Sequence, residues 1–317
     1  MSELNFQGRV AVVTGAGRGI GRGYARLLAE RGARVVVNDL GGSIEGEGSD
    51  VGPAQSVVDE IAAAGGTAVA DINDVSTVDG AKAIIDTAIE RFGRIDILVN
   101  NAGIVRWAGV PEVTPEDFER TLAVHLVGSL NTMRAAWPHF VEQGYGRVVL
   151  TTSSGVFGLD NNLSYAAAKG GTIGLARSAK LAGAPHGIKV NLIAPAAMTR
   201  MGGGEQPDDV QPVPGQPYMP SSLVAPMVAY LAHESCPVSG EIYTAGGGRF
   251  ARLFLASTEG YAQAGPATIE DVAAHWETIN DEAGYYVPAD LINWSGEFLK
   301  HQFRQDADLT SADLAKS

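Results

Sequence analysis

Short apolar runs rich in β-branched residues alternate with longer segments whose apolar positions recur every three or four residues. The first pattern predicts buried strands, and the second predicts helices that end at glycine. The predicted strands are 9–15, 33–39, 66–72, 95–103, 146–152, 188–195 and 241–247, and the predicted helices between them include 20–32, 54–66 and 81–93. We therefore expect an α/β fold, a Rossmann-like doubly wound sheet of seven parallel strands covered by helices on both faces.

The pattern changes after Gly248. Segments 267–279 and 290–303 have helical periodicity, and no strand pattern follows either of them. We therefore predict that residues 1–250 form the sheet domain and that residues 251–317 form a helical C-terminal extension packed on the same domain.

The composition limits the classes of function. Apolar residues make up 45% and charged residues 19% of the chain, as in ordinary globular proteins. A net charge of −13 argues against a nucleic-acid or anionic-membrane surface. The single Cys236 cannot form an intrachain disulfide, and the N-terminal segment lacks a signal-peptide pattern. Both features fit a reducing cytosol, so we expect a cytoplasmic protein. The uncharged run 210–232 contains too many prolines for a membrane helix and is expected to be a loop that enters a short helix.

A glycine-rich segment, TGAGRGIG at 14–21, lies between the first predicted strand and the first predicted helix. Gly15, Gly19 and Gly21 allow a tight turn, close approach of a pyrophosphate and close packing of the helix. The N-terminal amides of that helix then face the phosphates. This arrangement predicts a bound dinucleotide, although glycines also occur in plain structural turns.

Asp39 and Arg18 bear on which dinucleotide binds. Asp39 ends the second predicted strand, where a carboxylate accepts hydrogen bonds from the adenosine ribose and repels a 2′-phosphate. Arg18 lies in the glycine loop and is able to pair with such a phosphate. We weigh Asp39 more heavily because its charge acts at the discriminating atom, and we expect NAD as the cofactor. The other interpretation of Asp39, a cap of the turn after a strand, stays open.

The segment YAAAK at 165–169 places a phenol and an ammonium four positions apart on a predicted helix. Positions i and i+4 face the same way, so Tyr165 and Lys169 form a pair. A neighbouring ammonium and a positive nicotinamide ring both favour the phenolate. Tyr165 is therefore predicted to take the proton of an alcohol as hydride leaves its carbon. The alternative is that Tyr165 only packs and Lys169 is a solvated helix residue.

Four motifs occur together in a characteristic order. They are TGAGRGIG (14–21), NNAG (100–103), TTSSG (151–155) and YAAAK (165–169). In this order and spacing they resemble the short-chain dehydrogenase/reductase family. More narrowly, VVVNDLGG (35–42), VHLVGSLNTMRAAWPHF (124–140) and the tail beyond Gly248 are similar to the (3R)-hydroxyacyl-CoA dehydrogenase unit of peroxisomal multifunctional enzyme type 2 and its bacterial relatives.

The resemblance implies a function. The expected reaction is the NAD-dependent oxidation of a 3-hydroxyacyl-CoA, a fatty acyl or steroid side-chain thioester, to the 3-oxoacyl-CoA by a homodimer or homotetramer. Two alternatives remain. One is a hydroxysteroid dehydrogenase that acts on a free steroid alcohol, and the other is a nicotinamide-binding protein without catalytic activity.

The resemblance also implies further site residues. The family holds the substrate oxygen with a serine shortly before the tyrosine. Counting forward from the strand selects Ser153, and counting back from Tyr165 gives Thr152; we choose Ser153, which lies past the strand's carboxyl end. The family lysine also binds the nicotinamide ribose. The expected cofactor site, without a metal, comprises Gly15, Arg18, Gly19, Ile20, Gly21, Asp39, Asp74, Val75, Asn101, Ala102, Gly103, Tyr165, Lys169 and Pro195.

Two positions have more than one interpretation. His125 stands where the family usually has an asparagine that supports a proton relay, but a lone buried histidine is more often a satisfied core residue than a catalyst. Asp74 resembles the acid that meets the adenine amine, or it caps a helix that begins near Ser76. Asn100, together with Ala102, resembles residues that shape the adenosine side of the cofactor site.

The substrate side is less defined. We expect a lid over a hydrophobic substrate. It would consist of segment 194–201 and of the glycine- and proline-rich stretch that follows as far as residue 220. An acyl-CoA also needs basic groups for its phosphates. Arg106, Arg200 and Arg249 are candidates by position only, and each is otherwise a surface residue.

Overall fold

The computed structural model describes residues 3–202, 204, 206–207, 211–263 and 265–303. Within that part of the chain, eight strands form one sheet. They are β1 (Val10–Thr14), β2 (Arg34–Asn38), β3 (Thr67–Asp71), β4 (Ile97–Asn100), β5 (Gly146–Thr151), β6 (Ile188–Pro195), β7 (Ile242–Gly246) and β8 (Arg249–Leu253). Across the sheet the strands lie in the order β3-β2-β1-β4-β5-β6-β7-β8.

The first seven strands are parallel, which confirms the predicted doubly wound α/β sheet. The eighth strand was not predicted, and it pairs antiparallel with β7. Gly247 and Gly248 have φ angles of 55° and 77° and turn the chain back on itself between these two strands. The segment after Gly248 therefore begins with a strand, although its sequence pattern indicated helices alone.

Helices connect the parallel strands. Within the described residues they are α1 (Gly19–Glu30), α2 (Gly52–Ala63), α3 (Val78–Phe92), α4 (Pro115–Leu122), α5 (Gly128–Gln143), α6 (Leu163–Gly183), α7 (Ala225–Ala232), α8 (Ile269–Ala274), α9 (Trp276–Ile279) and α10 (Leu291–Phe303). Among these described helices, none combines the length and the apolar character that crossing a membrane requires.

The core lies on both faces of the sheet. In β1, Ala11 and Val13 belong to one buried cluster, and Val10 and Val12 belong to the other. Successive side chains of a strand point to opposite faces, so a strand that is apolar at every position needs cover on both sides. This burial on both faces explains why the sequences of the parallel strands are unbroken apolar runs. Their packing holds the carboxyl ends of the strands in fixed positions.

The chain divides into two compact units, Met1–Leu253 and Phe254–Ser317. The first unit extends past the predicted limit at residue 250 because β8 belongs to the sheet. In the second unit, the predicted helix 267–279 is interrupted at His275, between α8 and α9. The packing of the extension on the sheet domain stays a prediction, and its residues 304–317 lie outside the described part of the chain.

Candidate active site

The carboxyl ends of β1 to β6 border one cavity of about 410 Å³. This is the edge at which open α/β sheets bind ligands. Ser153 lines the cavity, and so do thirteen of the fourteen residues expected to bind the cofactor. Those thirteen are Gly15, Arg18, Gly19, Ile20, Asp39, Asp74, Val75, Asn101, Ala102, Gly103, Tyr165, Lys169 and Pro195.

Gly21 is the expected cofactor residue that does not line the cavity. A Cβ at this position would lie 2.2 Å from the carbonyl oxygen of Gly15, so the turn accepts glycine only. Gly21 therefore acts by allowing α1 to approach the loop, as the third glycine of a dinucleotide fingerprint does. The Arg18 side chain does not cap the first amides of α1, which leaves these donors facing the site.

Asp39 is tied to the backbone on two sides. Its Oδ2 accepts a hydrogen bond from Gly17 N–H and its Oδ1 accepts one from Gly41 N–H, both at 2.8 Å. Arg18 Nη1 donates to the carbonyl oxygen of Gly42 at 3.2 Å. The turn-forming interpretation of Asp39 therefore holds, and Asp39 is at the same time one of the residues that line the cavity. The guanidinium of Arg18 is engaged by the main chain.

A second set of hydrogen bonds holds the glycine loop against β4. Asn101 Nδ2 donates to the carbonyl oxygens of Thr14 and Gly15, at 3.0 and 2.9 Å. Thr14 Oγ1 in turn accepts from the amides of Asn101 and Ala102. Asn100 is buried and its side chain bonds to α5, so it does not face the cavity. The contribution of Thr14 was missed, because a threonine at a strand end carries no specific sequence signal.

Asp74 closes a turn after β3. Its Oδ1 accepts from Ser76 N–H at 2.8 Å, and its Oδ2 lies 3.7 Å from Nη2 of Arg120. The following helix α3 is capped by Thr77, whose side chain accepts from Gly80 N–H. The alternative of Asp74 as a helix cap is therefore wrong. Asp74 also lines the cavity, where an adenine amine is expected.

The segment 40–50, between β2 and α2, forms another wall of the cavity. Arg106 holds it in place, because Nε donates to the carbonyl oxygen of Glu45 at 3.0 Å and the guanidinium pairs with Asp117. Arg106 is thus engaged in structure and is not free for a substrate phosphate. The glycine-rich, acidic pattern of this segment is typical of a solvent loop, which is why no site residue was predicted in it. Its lining residues are Leu40, Gly42, Ser43, Ile44 and Gly46.

Tyr165 and Lys169 project from α6 into the cavity, as their spacing predicts. Lys169 is 3% exposed, and its Nζ donates to the carbonyl oxygen of Thr151 at 2.7 Å and lies 5.5 Å from the centroid of the Tyr165 ring. Ser153 and Tyr165 share a side-chain hydrogen bond. The Ser153 Oγ also accepts from Gly155 N–H at 3.0 Å. The three predicted catalytic residues therefore occupy one part of the cavity.

Thr152 has a different environment from Ser153. It is 1% exposed, and its Oγ1 donates to the main-chain carbonyl of Lys169 at 2.8 Å. This hydroxyl ties α6 to the end of β5 and lies outside the cavity lining. Of the two hydroxyls between which the sequence left a choice, Ser153 is the one that meets Tyr165.

Burial controls the charges of this pair. Burial lowers the pKa of Lys169 to about 7. Burial also raises the pKa of Tyr165, and the hydrogen bond with Ser153 lowers it in part. The direction for Tyr165 is opposite to the expected effect of a neighbouring ammonium. The protein by itself therefore favours the neutral phenol, and Lys169 titrates near neutral pH.

His125 lies in a π-helical turn, Ala123–Val127, between α4 and α5. The N–H of Gly128 donates to the carbonyl oxygen of Ala123, five residues earlier. Ring atom Nε2 of His125 lies 2.8 Å from the carbonyl oxygen of Ile104 and 3.0 Å from its amide nitrogen. The turn therefore sets the ring against the strand end that carries NNAG.

The His125 ring also contacts Tyr165 edge to face, with 5.2 Å between the ring centroids. Burial, and then the charge of Lys169, lower the pKa of His125 well below 6.5, so the imidazole is neutral. Its Nδ1 is buried and has no hydrogen-bond partner among the described residues. His125 is thus a buried residue that also touches the predicted base.

Apolar side chains line the outer part of the cavity. Trp107 and Leu159 are 53% and 61% exposed, and Met201 lines the cavity with them. An isolated β-bridge between Ala108 and Asn162 joins the two loops that carry the first two. No motif pointed to Trp107 or Leu159. Exposed apolar residues at a cavity suit an apolar ligand.

The predicted lid is described in part, because residues 203, 205 and 208–210 lie outside the described residues. In the described part, the side-chain oxygen of Gln206 accepts from Met219 N–H at 2.6 Å. Of the arginines considered for a substrate phosphate, Arg200 lines the cavity. Arg249 lies on β8, is exposed and is outside the cavity lining.

Fold and site together are those of a nicotinamide-dependent oxidoreductase class. The family model of the short chain dehydrogenases matches residues 9–209, and the chain belongs to this family. It is 45% identical over 288 residues to peroxisomal multifunctional enzyme type 2 of Drosophila melanogaster, a match that covers 88% of this chain and 46% of the relative. It is also 45% identical over 279 residues to a short-chain type dehydrogenase/reductase of Mycobacterium tuberculosis, covering 88% and 96% of the two chains.

Solved structures agree with these relatives. The full-length multifunctional enzyme type 2 from Drosophila melanogaster matches with a TM-score of 0.77 and 36% identity over 94% of this chain and 50% of that one. A 7α-hydroxysteroid dehydrogenase complexed with NADH and 7-oxo glycochenodeoxycholic acid matches with a TM-score of 0.68 and 30% identity, over 77% and 95% of the two chains. The chain spans about half the length of the multifunctional enzyme it matches. The predicted family resemblance is confirmed.

Proposed function

We propose that this oxidoreductase oxidises the 3-hydroxyl group of an acyl-CoA thioester to the 3-oxo group, with NAD as the hydride acceptor. One observation carries the proposal. Ser153, Tyr165 and Lys169 line the same cavity as the glycine loop and Asp39, so an alcohol and a dinucleotide have room to meet beside a titratable phenol.

The residues of the cavity lining support a dinucleotide as the cofactor. The close contacts around Gly15 and Gly21, and the amides at the start of α1, form a cradle for a pyrophosphate. The carboxylate of Asp39 at the end of β2 favours a free ribose over a 2′-phosphate. Arg18, which is able to favour that phosphate, donates instead to a main-chain carbonyl. These residues support NAD over NADP.

The proton chemistry is assigned to three side chains. Ser153 holds the substrate oxygen, and Tyr165 takes the proton from it. Lys169, with a pKa of about 7, exchanges a proton readily at neutral pH and adds positive charge beside the phenol when protonated. When bound, the nicotinamide supplies the hydride acceptor. Burial at this end excludes water, because Lys169 and His125 are 3% and 2% exposed.

The acyl-CoA substrate follows from the resemblance to the (3R)-hydroxyacyl-CoA dehydrogenase unit of multifunctional enzyme type 2, a relative that is 45% identical to this chain. The second candidate function is oxidation of a free steroid alcohol. The structural match to 7α-hydroxysteroid dehydrogenase favours it. The exposed Trp107 and Leu159 suit an acyl chain and a steroid alike.

A spectrophotometric survey of NADH formation tests this proposal. The substrates are (3R)-hydroxyacyl-CoA thioesters, steroid-CoA thioesters and free steroid alcohols, each with NAD and with NADP, and Tyr165→Phe is the control for background. We expect turnover of a CoA thioester with NAD. Turnover of free steroid alone would support the second candidate. Binding of NAD without turnover of any alcohol would mean that the protein is a nicotinamide-binding protein, and the proposal would be wrong.

A further inference from the structure

Basic side chains in the cavity lining differ in what they already contact. The cations of the lining, in the described part of the chain, are Arg18, Arg120, Lys169 and Arg200. Arg18 and Lys169 donate to main-chain carbonyl oxygens at 3.2 and 2.7 Å. Arg120 donates to a serine hydroxyl at 3.0 Å and faces the Asp74 carboxylate at 3.7 Å. Three of the four are therefore engaged inside the protein.

Arg200 is the exception. It begins a single helical turn, Arg200–Gly202, after β6, and its side chain is exposed. Within the described residues its guanidinium makes no hydrogen bond or ion pair. A guanidinium presents five donors in a planar fork that matches the oxygens of a phosphate. Because the chain has a net charge of −13, an anion approaching the cavity depends on such a local cation.

The residues around Arg200 indicate which kind of anion its guanidinium would bind. Met201 lines the cavity next to it, and Trp107 and Leu159 line the same cavity while more than half exposed. Among the described residues, these apolar side chains and an unpaired guanidinium lie in the same lining, which suits an amphiphile with a hydrocarbon part and a negatively charged part. The other arginines considered for this role are excluded, because Arg106 is paired with Asp117 and Arg249 lies outside the lining.

We propose that Arg200 binds a phosphate group of the CoA portion of the substrate. This inference rests on the proposed function, since it presupposes a CoA thioester in the cavity. It assigns to Arg200 the part of substrate recognition that depends on phosphate rather than on the acyl chain. The cofactor also carries phosphates, so the experiment must distinguish the two sources.

The test compares Arg200→Gln with the matched control Arg249→Gln. Each variant is assayed with a 3-hydroxyacyl-CoA and with the same acyl group on pantetheine, which lacks the phosphates. We expect the ratio of kcat/KM for the CoA thioester to that for the pantetheine thioester to fall about tenfold in Arg200→Gln, the loss of one exposed charge-assisted hydrogen bond. The ratio should keep its wild-type value in Arg249→Gln. Added salt should lower the wild-type ratio toward that of Arg200→Gln.

A ratio in Arg200→Gln equal to that of the wild type would overturn the inference. A parallel loss with both thioesters, together with a raised KM for NAD, would assign the phosphate to the cofactor and would also overturn it. Calorimetric titration with CoA alone gives a readout that is independent of turnover, and we expect affinity about tenfold weaker for Arg200→Gln. If the wild type oxidises neither thioester, the proposed function fails, and the titration still decides whether Arg200 binds the CoA phosphates.

Discussion

The two ends of the cavity are built in different ways. At the glycine-loop end (Gly15, Arg18, Asp39), the contacts run between side chains and main-chain groups, and Arg18 and Asp39 are partly exposed. At the tyrosine end (Ser153, Tyr165, Lys169), the lysine and the neighbouring His125 are almost fully buried, and burial shifts their pKa values. The first end depends on the shape of the backbone, and the second depends on the loss of water.

This difference has a practical consequence. A substitution at the glycine-loop end should change which dinucleotide binds and how tightly. A substitution at the tyrosine end should change proton transfer and its pH dependence. The two ends should therefore respond separately to substitution.

The largest effect is expected from Tyr165→Phe. This change removes the phenolic oxygen and keeps the ring that contacts His125. Turnover should be abolished, with kcat lowered about 1000-fold or more as expected for loss of a general base, while NAD affinity is unchanged. Steady-state kinetics and calorimetric titration with NAD measure the two quantities. A comparable loss of affinity would show that the two ends do not act separately.

Gly21→Ala should have the next largest effect, at the other end. A Cβ there would lie 2.2 Å from the Gly15 carbonyl oxygen, so the loop must shift and NAD affinity should fall about a hundredfold. Gly23→Ala, in the same helix, is the control, because its Cβ would meet nothing closer than 3.6 Å. Calorimetry measures the affinity, and thermal unfolding checks that both variants fold. Equal affinities of the two variants would contradict the role of the close contact.

Lys169→Met tests how the buried amine at the tyrosine end affects the stability of the protein. The pKa of Lys169 is about 7 in the folded chain and 10.5 without burial. Between pH 7 and pH 10.5 the lysine is therefore protonated in the unfolded chain and neutral in the folded chain. The free energy of unfolding thus rises with pH over this range. Removing the amine should therefore stabilise the protein at pH 7 by about 2 kcal/mol, a net value that includes loss of the hydrogen bond to the Thr151 carbonyl.

Urea unfolding of the wild type and of Lys169→Met, from pH 6 to pH 10, measures this effect. The stability advantage of the variant should be largest at pH 7 and below, where the wild type has to bury a charge, and should shrink as the pH rises toward 10.5. An advantage that stays constant with pH would mean that the charge of Lys169 is not what costs stability.

The smallest effect is expected from Asp39→Ala. Removal of the carboxylate should narrow the preference for NAD over NADP about tenfold, because a partly exposed charge no longer repels the 2′-phosphate. Asp39→Asn removes the charge but keeps one acceptor oxygen, so it retains the hydrogen bond from Gly17 or from Gly41 and disturbs the loop less than alanine does. The measurement is kcat/KM for both dinucleotides. An unchanged ratio in both variants would refute a contact between Asp39 and the ribose.

The glycine-loop end was predictable from the sequence because its contacts are local or follow the ends of adjacent strands. The motif TGAGRGIG and the position of Asp39 at the end of β2 were sufficient to place both in one cavity. The wall formed by segment 40–50 was missed, because hydrogen bonds that hold it in place come from Val105 and Arg106, far along the chain. The strand β8 was missed because a five-residue strand after two glycines gives no clear periodicity.

At the tyrosine end, the spacing of Tyr165 and Lys169 predicted that they share a face, but not their charge state. The pKa of Tyr165 is raised because segments distant in sequence, including the turn that carries His125, bury its ring. The sequence alone also did not decide between Ser153 and Thr152. After β5 the hydroxyl of Thr152 bonds to the main chain of α6, whereas Ser153 lines the cavity. The homodimer or homotetramer implied by the resemblance stays a prediction.

The π-helical turn at Ala123–Val127 means that this helical segment contains one residue more than a regular α-helix of the same rise would need. Deleting one residue from the turn would restore regular bonding and leave α4 and α5 in their present alignment. Arg120, on α4, would keep its place beside Asp74, whereas the residues of the turn would be spaced anew and the imidazole of His125 would leave the phenol ring. The extra residue thus places the imidazole against the phenol without disturbing the helix on either side.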